Sequence, residues 1–147
     1  MDIYFACSIT GGRQAEAAYQ VIVQTLEAAG HTVPTAHLSQ PDALSMEAIV
    51  DPYVVFRRDI EWINTAQALI AEVSTPSHGV GYEVAYALSI GKPVLCCYLD
   101  GIPVSKMITG NTHPRLQVRA YRSLEEIQPL VRQFLQQVDL LYKPIMD

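Results

Sequence analysis

The sequence predicts a single-domain α/β sandwich, a five-stranded parallel sheet with helices on both faces. Three observations predict it. Short apolar runs alternate with amphipathic stretches of helical period along the whole chain. No Ser/Gly-rich or charge-rich linker, repeat or low-complexity tract interrupts them, so residues 1–147 read as one domain. Half of the 147 residues are apolar, which suits a proper core at this length.

The elements follow in order. "DIYFACS" reads as a first strand that ends in the loop "SITGGR". A helix then runs to about Gly30, its stop, with Ala15, Tyr19, Ile22, Val23 and Leu26 on one face. "HTVPTA" is a short strand and "LSQPDALS" a loop. Asp51-Pro52 starts the next helix, an acid at the N-cap and proline at the first position. "QALIAEVS" is a buried strand, and a helix opens at about Ser77. "KPVLCCYL" and "LQVRAY" are the last strands, and Ser123 begins a final helix whose Pro129 implies a kink or a later start. This is a flavodoxin-like or Rossmann-like order, in which ligands bind beyond the carboxyl ends of the strands. "SITGG" and "STPSHGVG" both fall on that rim.

Charge and composition exclude several classes. The formal charge is −5 with no basic run, which argues against a nucleic-acid polymer but not against a single nucleotide. The N-terminus lacks the pattern of a signal peptide, and no apolar stretch approaches a membrane span. Cys7, Cys96 and Cys97 are odd in number and two are adjacent, so a reducing, cytoplasmic setting is expected rather than a disulfide framework. No His/Cys/Asp spacing suggests a metal.

Two carboxylates sit where apolar side chains belong. In "SHGVGYEVAYALS", Val80, Val84, Ala87 and Leu88 form one helix face, and Glu83 lies at its edge. In "DPYVVFRRDIEWINTA", Asp59 falls within the face of Val55, Phe56, Trp62, Ile63 and Ala66, while Arg57, Arg58 and Glu61 look outward. Each acid taken alone is either a satisfied core group, for instance paired with Arg58, or a group kept for use. Two of them beside one sheet rim shift the balance toward acid/base or nucleophilic chemistry at a sugar carbon.

The small-residue loops have two readings as well. Gly79, one turn before Glu83, either admits a ligand to the carboxylate or allows close helix–strand packing. Ser77 is a natural N-cap, and its hydroxyl with the free N–H groups after it forms an anion site. Ser77 and Glu83 lie roughly 9 Å apart along a helix axis, a span that fits a phosphate and a sugar C1′ of one nucleotide. "SITGGR" is neither a Walker loop nor GxGxxG, and by itself reads as a strand-to-helix turn. His78 is near the proposed site but reads as exposed, and nothing in the spacing supports a Cys7–His pair.

"IYFACSITGGR", "RRDIEWINTAQALIAEVSTPSHGVGYE" and "SKMITG" together resemble the nucleoside 2-deoxyribosyltransferase superfamily, most closely its 2′-deoxynucleoside 5′-phosphate N-hydrolase branch. The likeness runs from Ile3 to about Gly110. It implies cleavage of the N-glycosidic bond of a deoxynucleoside monophosphate without a cofactor, with a small-molecule nucleotide as substrate. By this likeness Glu83 is the nucleophile at C1′, Asp59 positions the substrate and assists proton transfer, and Tyr4 orients Glu83 and crowds a 2′-hydroxyl. Read from the strand alone, Tyr4 is equally a core aromatic. The resemblance implies Ser8 and Ser77 as phosphate ligands, within a substrate-binding set that also includes Ile9, Thr10, Gly11, Gly12 and Gly79. It implies a homodimer in which Ser105, followed by Met107, completes the neighbouring site.

Two positions separate the branches. The base-exchanging transferases carry an acid at the position of Ser77 and an amide at that of Ser105, so both serines favour a phosphorylated substrate. Thr10 departs from the hydrolase pattern, which has an arginine there, and Arg13 or Lys106 is then the substitute cation. The alternatives are base exchange, a ribonucleotide (CMP-type) N-hydrolase, against which Tyr4 argues, and a non-catalytic nucleotide-binding domain.

Overall fold

In the computed structural model, which describes residues 1–143, four strands form one parallel sheet; the last four residues of the expected domain, 144–147, lie outside the described residues. The strands are β1 (Ile3–Ala6), β2 (Ala68–Glu72), β3 (Val94–Leu99) and β4 (Leu116–Tyr121), in the order β1-β2-β3-β4. Tyr4 pairs with Leu69, Leu69 with Val94, and Val94 with Leu116. The helices are α1 (Glu16–Ala28), α2 (Ala43–Ala48), α3 (Pro52–Thr65), α4 (His78–Ser89), α5 (Lys106–Thr109) and α6 (Ile127–Tyr142).

The expected fifth strand, "HTVPTA", is reduced to one parallel bridge between Asp2 and Thr32 on the free edge of β1. The Ile3 N–H donates to the Thr32 carbonyl at 2.9 Å, but the ladder stops there. Pro34 has no N–H to continue it. The Phe5 N–H is satisfied instead by the Thr35 side-chain oxygen, at 3.0 Å. The segment keeps the place of an edge strand without its hydrogen bonds.

Alternation along the strands divides the core in two. Ile3, Phe5, Ala68, Ile70 and Leu95 pack on the side of α1 and α6. Tyr4, Ala6, Leu69, Ala71 and Cys96 pack on the side of α3 and α4. The face predicted for α4 is the face it buries, Val80, Val84, Ala87 and Leu88. Burial of its larger side chains contributes roughly 1.5–3 kcal/mol each.

Local signals account for the helix ends. The Asp51 carboxylate accepts the Tyr53 N–H at 2.9 Å, with Pro52 at the first position of α3. Gly30, at φ 82°, follows the end of α1. The last helix takes the later start: a 3₁₀ turn, Leu124–Glu126, precedes α6, so Pro129 falls in its first turn, where no N–H is required.

The segment read as a loop, "LSQPDALS", is more ordered than that, because the 3₁₀ turn Ala36–Ser39 and α2 both fall in or beside it. Among the described residues no helix is long and apolar enough to cross a membrane, and Cys7, Cys96 and Cys97 are buried free thiols.

Candidate active site

β1 and β2 end side by side, and the loops leaving them border a cavity of about 580 Å³ closed by α2, α3 and α4. Strand alternation puts Tyr4 on the side of α3 and α4, fully buried, beneath this cavity. Its hydroxyl donates to Glu83 Oε1 at 2.6 Å. Glu83 lines the cavity from α4, one turn after Gly79, and Ser77 caps the same helix by accepting the Val80 N–H at 3.3 Å. Asp59 lines the same cavity from α3.

Asp59 is half of an ion pair. Its Oδ1 accepts from Arg58 Nε at 2.8 Å. The Arg58 Nη2 donates to both oxygens of Glu47, at 3.1 and 3.3 Å, and the guanidinium lies 4.8 Å from the Trp62 ring centroid. His37 Nε2 meets the same Glu47 at 2.9 Å. Arg58, expected to look outward, therefore turns in, because two carboxylates and an indole face offer more than water does. Val55 and Phe56, expected on the buried face, line the cavity instead, with Phe56 half exposed. Of the helix face proposed for α3, Ile63 and Ala66 are fully buried.

These environments raise both acids. Burial pushes the Glu83 carboxyl up to about 7; the Tyr4 bond and Arg58 pull against this, and the Asp59 charge adds to it. Burial also raises Asp59, with the Arg58 bond opposing. Burial and the two neighbouring acids hold Tyr4 far above the usual phenol range, so it remains a donor. Folded Glu83 thus binds its proton more tightly than in an unfolded chain at 4.5. Its contribution to stability falls as pH rises from about 4.5 through about 7. Tyr4→Phe removes the bond that favours the ionised form. The Glu83 pKa should therefore rise by about one further unit, read by carboxyl carbon NMR titration; an unchanged value would mean the phenol has no hold on it.

The remaining expected site residues scatter. Ile9 and Thr10 line the cavity, and Ser8 lies fully buried beside them, its hydroxyl without a partner among the described residues. Gly11 packs against the Pro76 carbonyl, where a Cβ would come within 2.4 Å, and it borders a different cavity. Gly12 has φ 123°, a left-handed turn residue. Ser105 caps α5 by accepting the Met107 N–H at 3.2 Å; it is exposed, as is Met107, and neither lines the cavity. Arg13 is held elsewhere, by the Ser8 and Gln40 carbonyls, Glu16 and the Tyr19 ring. Among the described residues of the cavity wall the one cation is Arg58, against Glu47, Asp59 and Glu83. Among the described residues no group of side chains is placed to hold a metal.

Three polar residues were missed from sequence. Glu47 and His37 lay in or beside a segment read as loop, with no periodicity to orient them. Glu72 is fully buried at the end of β2. An acid inside the apolar run "ALIAEV" is the same irregularity that marked Glu83, so its signal was present.

The family profile described as nucleoside 2-deoxyribosyltransferase matches residues 3–120. A Methanosarcina mazei protein named "Putative 2'-deoxynucleoside 5'-phosphate N-hydrolase 1" is 36% identical over 134 residues, covering 91% of this chain and 83% of that protein. The 5-hydroxymethyl-dUMP N-hydrolase of Danio rerio is 36% identical over 141 residues, covering 92% of this chain and 96% of its own. The solved CMP N-glycosidase of Clostridium botulinum superposes with a TM-score of 0.66 at 20% identity, over 96% of this chain and 99% of that one, a likeness of fold. The profile spans both loops, both acids and Tyr4 in this chain, and the chain belongs to the nucleoside 2-deoxyribosyltransferase family.

Proposed function

We propose that this chain hydrolyses the N-glycosidic bond of 2′-deoxynucleoside 5′-monophosphates, releasing the free base and 2-deoxyribose 5-phosphate. The observation that carries the reading is the cavity-facing Glu83, held by the Tyr4 hydroxyl at 2.6 Å with its pKa near 7. The names of the relatives support the substrate class.

The Glu83 carboxylate attacks C1′, and the C1′–N bond breaks with its electron pair leaving on the base. Asp59 supplies or guides the proton the base takes up. Water then attacks C1′ of the glycosyl ester and gives up a proton to the Asp59 carboxylate, the ester C–O bond breaks, and Glu83 leaves as carboxylate, with the anomeric configuration retained. Tyr4 holds Glu83 on line and leaves little room for a 2′-hydroxyl.

The 5′-phosphate meets the N-terminus of α4, where Ser77 and the free amides after it are donors, together with Thr10 and the unpartnered Ser8 hydroxyl. Gly79 and Ile9 shape the approach of the sugar phosphate, and Gly11 and Gly12 set the turn of the loop that carries Thr10. Ser105, with Met107 beside it, serves the site of a second copy in a homodimer, which its exposure on a short helix in the monomer accommodates. Three buried free thiols suit a reducing, cytoplasmic setting.

A second reading has one observation in its favour. The wall carries three carboxylates and a single, already paired cation, which suits an unphosphorylated nucleoside and base exchange. Chromatography of the protein incubated with dAMP, dGMP, dCMP, dTMP and 5-hydroxymethyl-dUMP, each beside its nucleoside, separates the two. Free base from the monophosphates alone is the expected result. Cleavage only of nucleosides, or a new nucleoside when acceptor base is added, would overturn it.

A further inference from the structure

The buried acid that the proposed chemistry leaves unused is Glu72. It closes β2 on the side of the sheet facing away from Glu83, and burial raises its pKa. Its Oε1 collects three donors: the Ser74 N–H at 3.2 Å, the Ser74 hydroxyl, and the Tyr121 hydroxyl at 3.2 Å. Its Oε2 has no partner among the described residues. The Ser74 hydroxyl in turn accepts the Leu99 N–H at 2.8 Å, and the Val73 N–H reaches the Cys97 carbonyl at 2.8 Å. One carboxyl thus ties the segment after β2 to the ends of β3 and β4.

That segment, residues 74–76, leads directly into Ser77 and the first amides of α4. It also carries the first loop. The Pro76 carbonyl is the surface against which Gly11 packs, and Thr75 Oγ1 lies 3.3 Å from Gln14 Oε1. Thr10 and Ser77, on opposite sides of this contact, both line the cavity. The two loops are therefore set as a unit, and the pin that fixes the unit to the sheet is Glu72.

We infer that Glu72 is a positioning residue for the anion-binding end of the cavity: it holds residues 74–76 so that Ser77, the amides after it and Thr10 converge on one phosphate. The inference rests on the reading of the cavity as a nucleotide site. It assigns Glu72 to binding of the phosphate and not to the chemistry at C1′, since the carboxyl lies behind the loop and touches no cavity atom that Glu83 or Asp59 serves.

The test compares Glu72→Leu, which removes the accepting oxygen, with Glu72→Gln, which keeps it in the Oε1 place and puts the amide nitrogen where Oε2 makes no bond. Inorganic phosphate is titrated into each by calorimetry, and KM and kcat are measured for a deoxynucleoside monophosphate and its nucleoside. Glu72→Leu should weaken phosphate binding about tenfold, raise KM for the monophosphate by a similar factor, and leave kcat and the KM of the nucleoside within about twofold. Glu72→Gln should restore both phosphate affinity and KM.

A folded Glu72→Leu protein that binds phosphate as the parent does, or loses kcat equally on both substrates, would overturn the assignment, as would a parent that binds no phosphate. Should Glu72→Leu fail to fold, Ser74→Ala and Tyr121→Phe each delete one of the bonds; unchanged phosphate affinity in both would overturn it equally. A parent that cleaves none of the substrates sinks the hydrolase reading, while the phosphate titrations still decide the role of Glu72.

Discussion

Glu83→Gln is expected to lower turnover of the monophosphate by about 10⁴-fold or more, the scale on which loss of a nucleophile is felt. The amide has the shape of the carboxylate and still accepts from Tyr4, so the cavity and its affinity for substrate should persist. Nucleophilic power at C1′ is what disappears. The parent adds a second line of evidence: with a slowly hydrolysed 2′-fluoro-2′-deoxy substrate its mass should increase by one 2-fluoro-2-deoxyribosyl phosphate, on the peptide containing Glu83. Retained turnover in the variant would return Glu83 to the status of a satisfied core acid. The same variant tests sharing between subunits. In a mixed dimer of Glu83→Gln and Ser105→Ala chains, one site regains both residues. Equal mixing should therefore restore about a quarter of the parent's sites; if Ser105 served its own subunit, no site would be restored.

The buried face of α4, the start of α3 and the two displaced acids were legible because each rests on short-range physics. The α4 stripe, the Asp51-Pro52 start and the oddity of Glu83 all follow from a period or a spacing within one element. The fifth strand was misread because "HTVPTA" has strand composition, whereas pairing depends on N–H groups facing a neighbour, and Pro34 removes one there. Arg58 was misread for a related reason. Helical phase places it on the outer side of α3, but Glu47 on α2 and Asp59 beside it supply partners that phase does not register. Glu47 and His37 acquire meaning only when α2 folds over α3, a contact no local pattern announces. Ser105 shows the complementary limit: its capping role is local and visible, while any part in catalysis lies between two chains.

Asp59→Asn should cost about 10²- to 10⁴-fold in kcat, the range of a lost general acid, and the loss should depend on the base. As the C1′–N bond breaks, the departing base accumulates negative charge unless a proton arrives. Burial raises the Asp59 carboxyl, which prepares it to carry that proton, and the Arg58 bond keeps the shift from running further. A substrate whose base leaves readily as an anion needs the proton less. The penalty of Asp59→Asn should therefore be smaller for 5-fluoro-dUMP than for dUMP, because the electron-withdrawing fluorine stabilises the departing anion. The pH profile supplies an independent reading. Chemistry requires Glu83 ionised, so turnover should fall as pH drops below about 7 in the free enzyme. In Asp59→Asn that acid limb, which belongs to Glu83, should remain and move to lower pH, because the Asp59 charge that raises Glu83 is gone. An equal penalty on both substrates would assign Asp59 to holding the sugar, with the proton coming from water. Arg58 would then serve to fix that hold, and the His37–Glu47–Arg58 chain behind it would set where the sugar sits and not how the base departs.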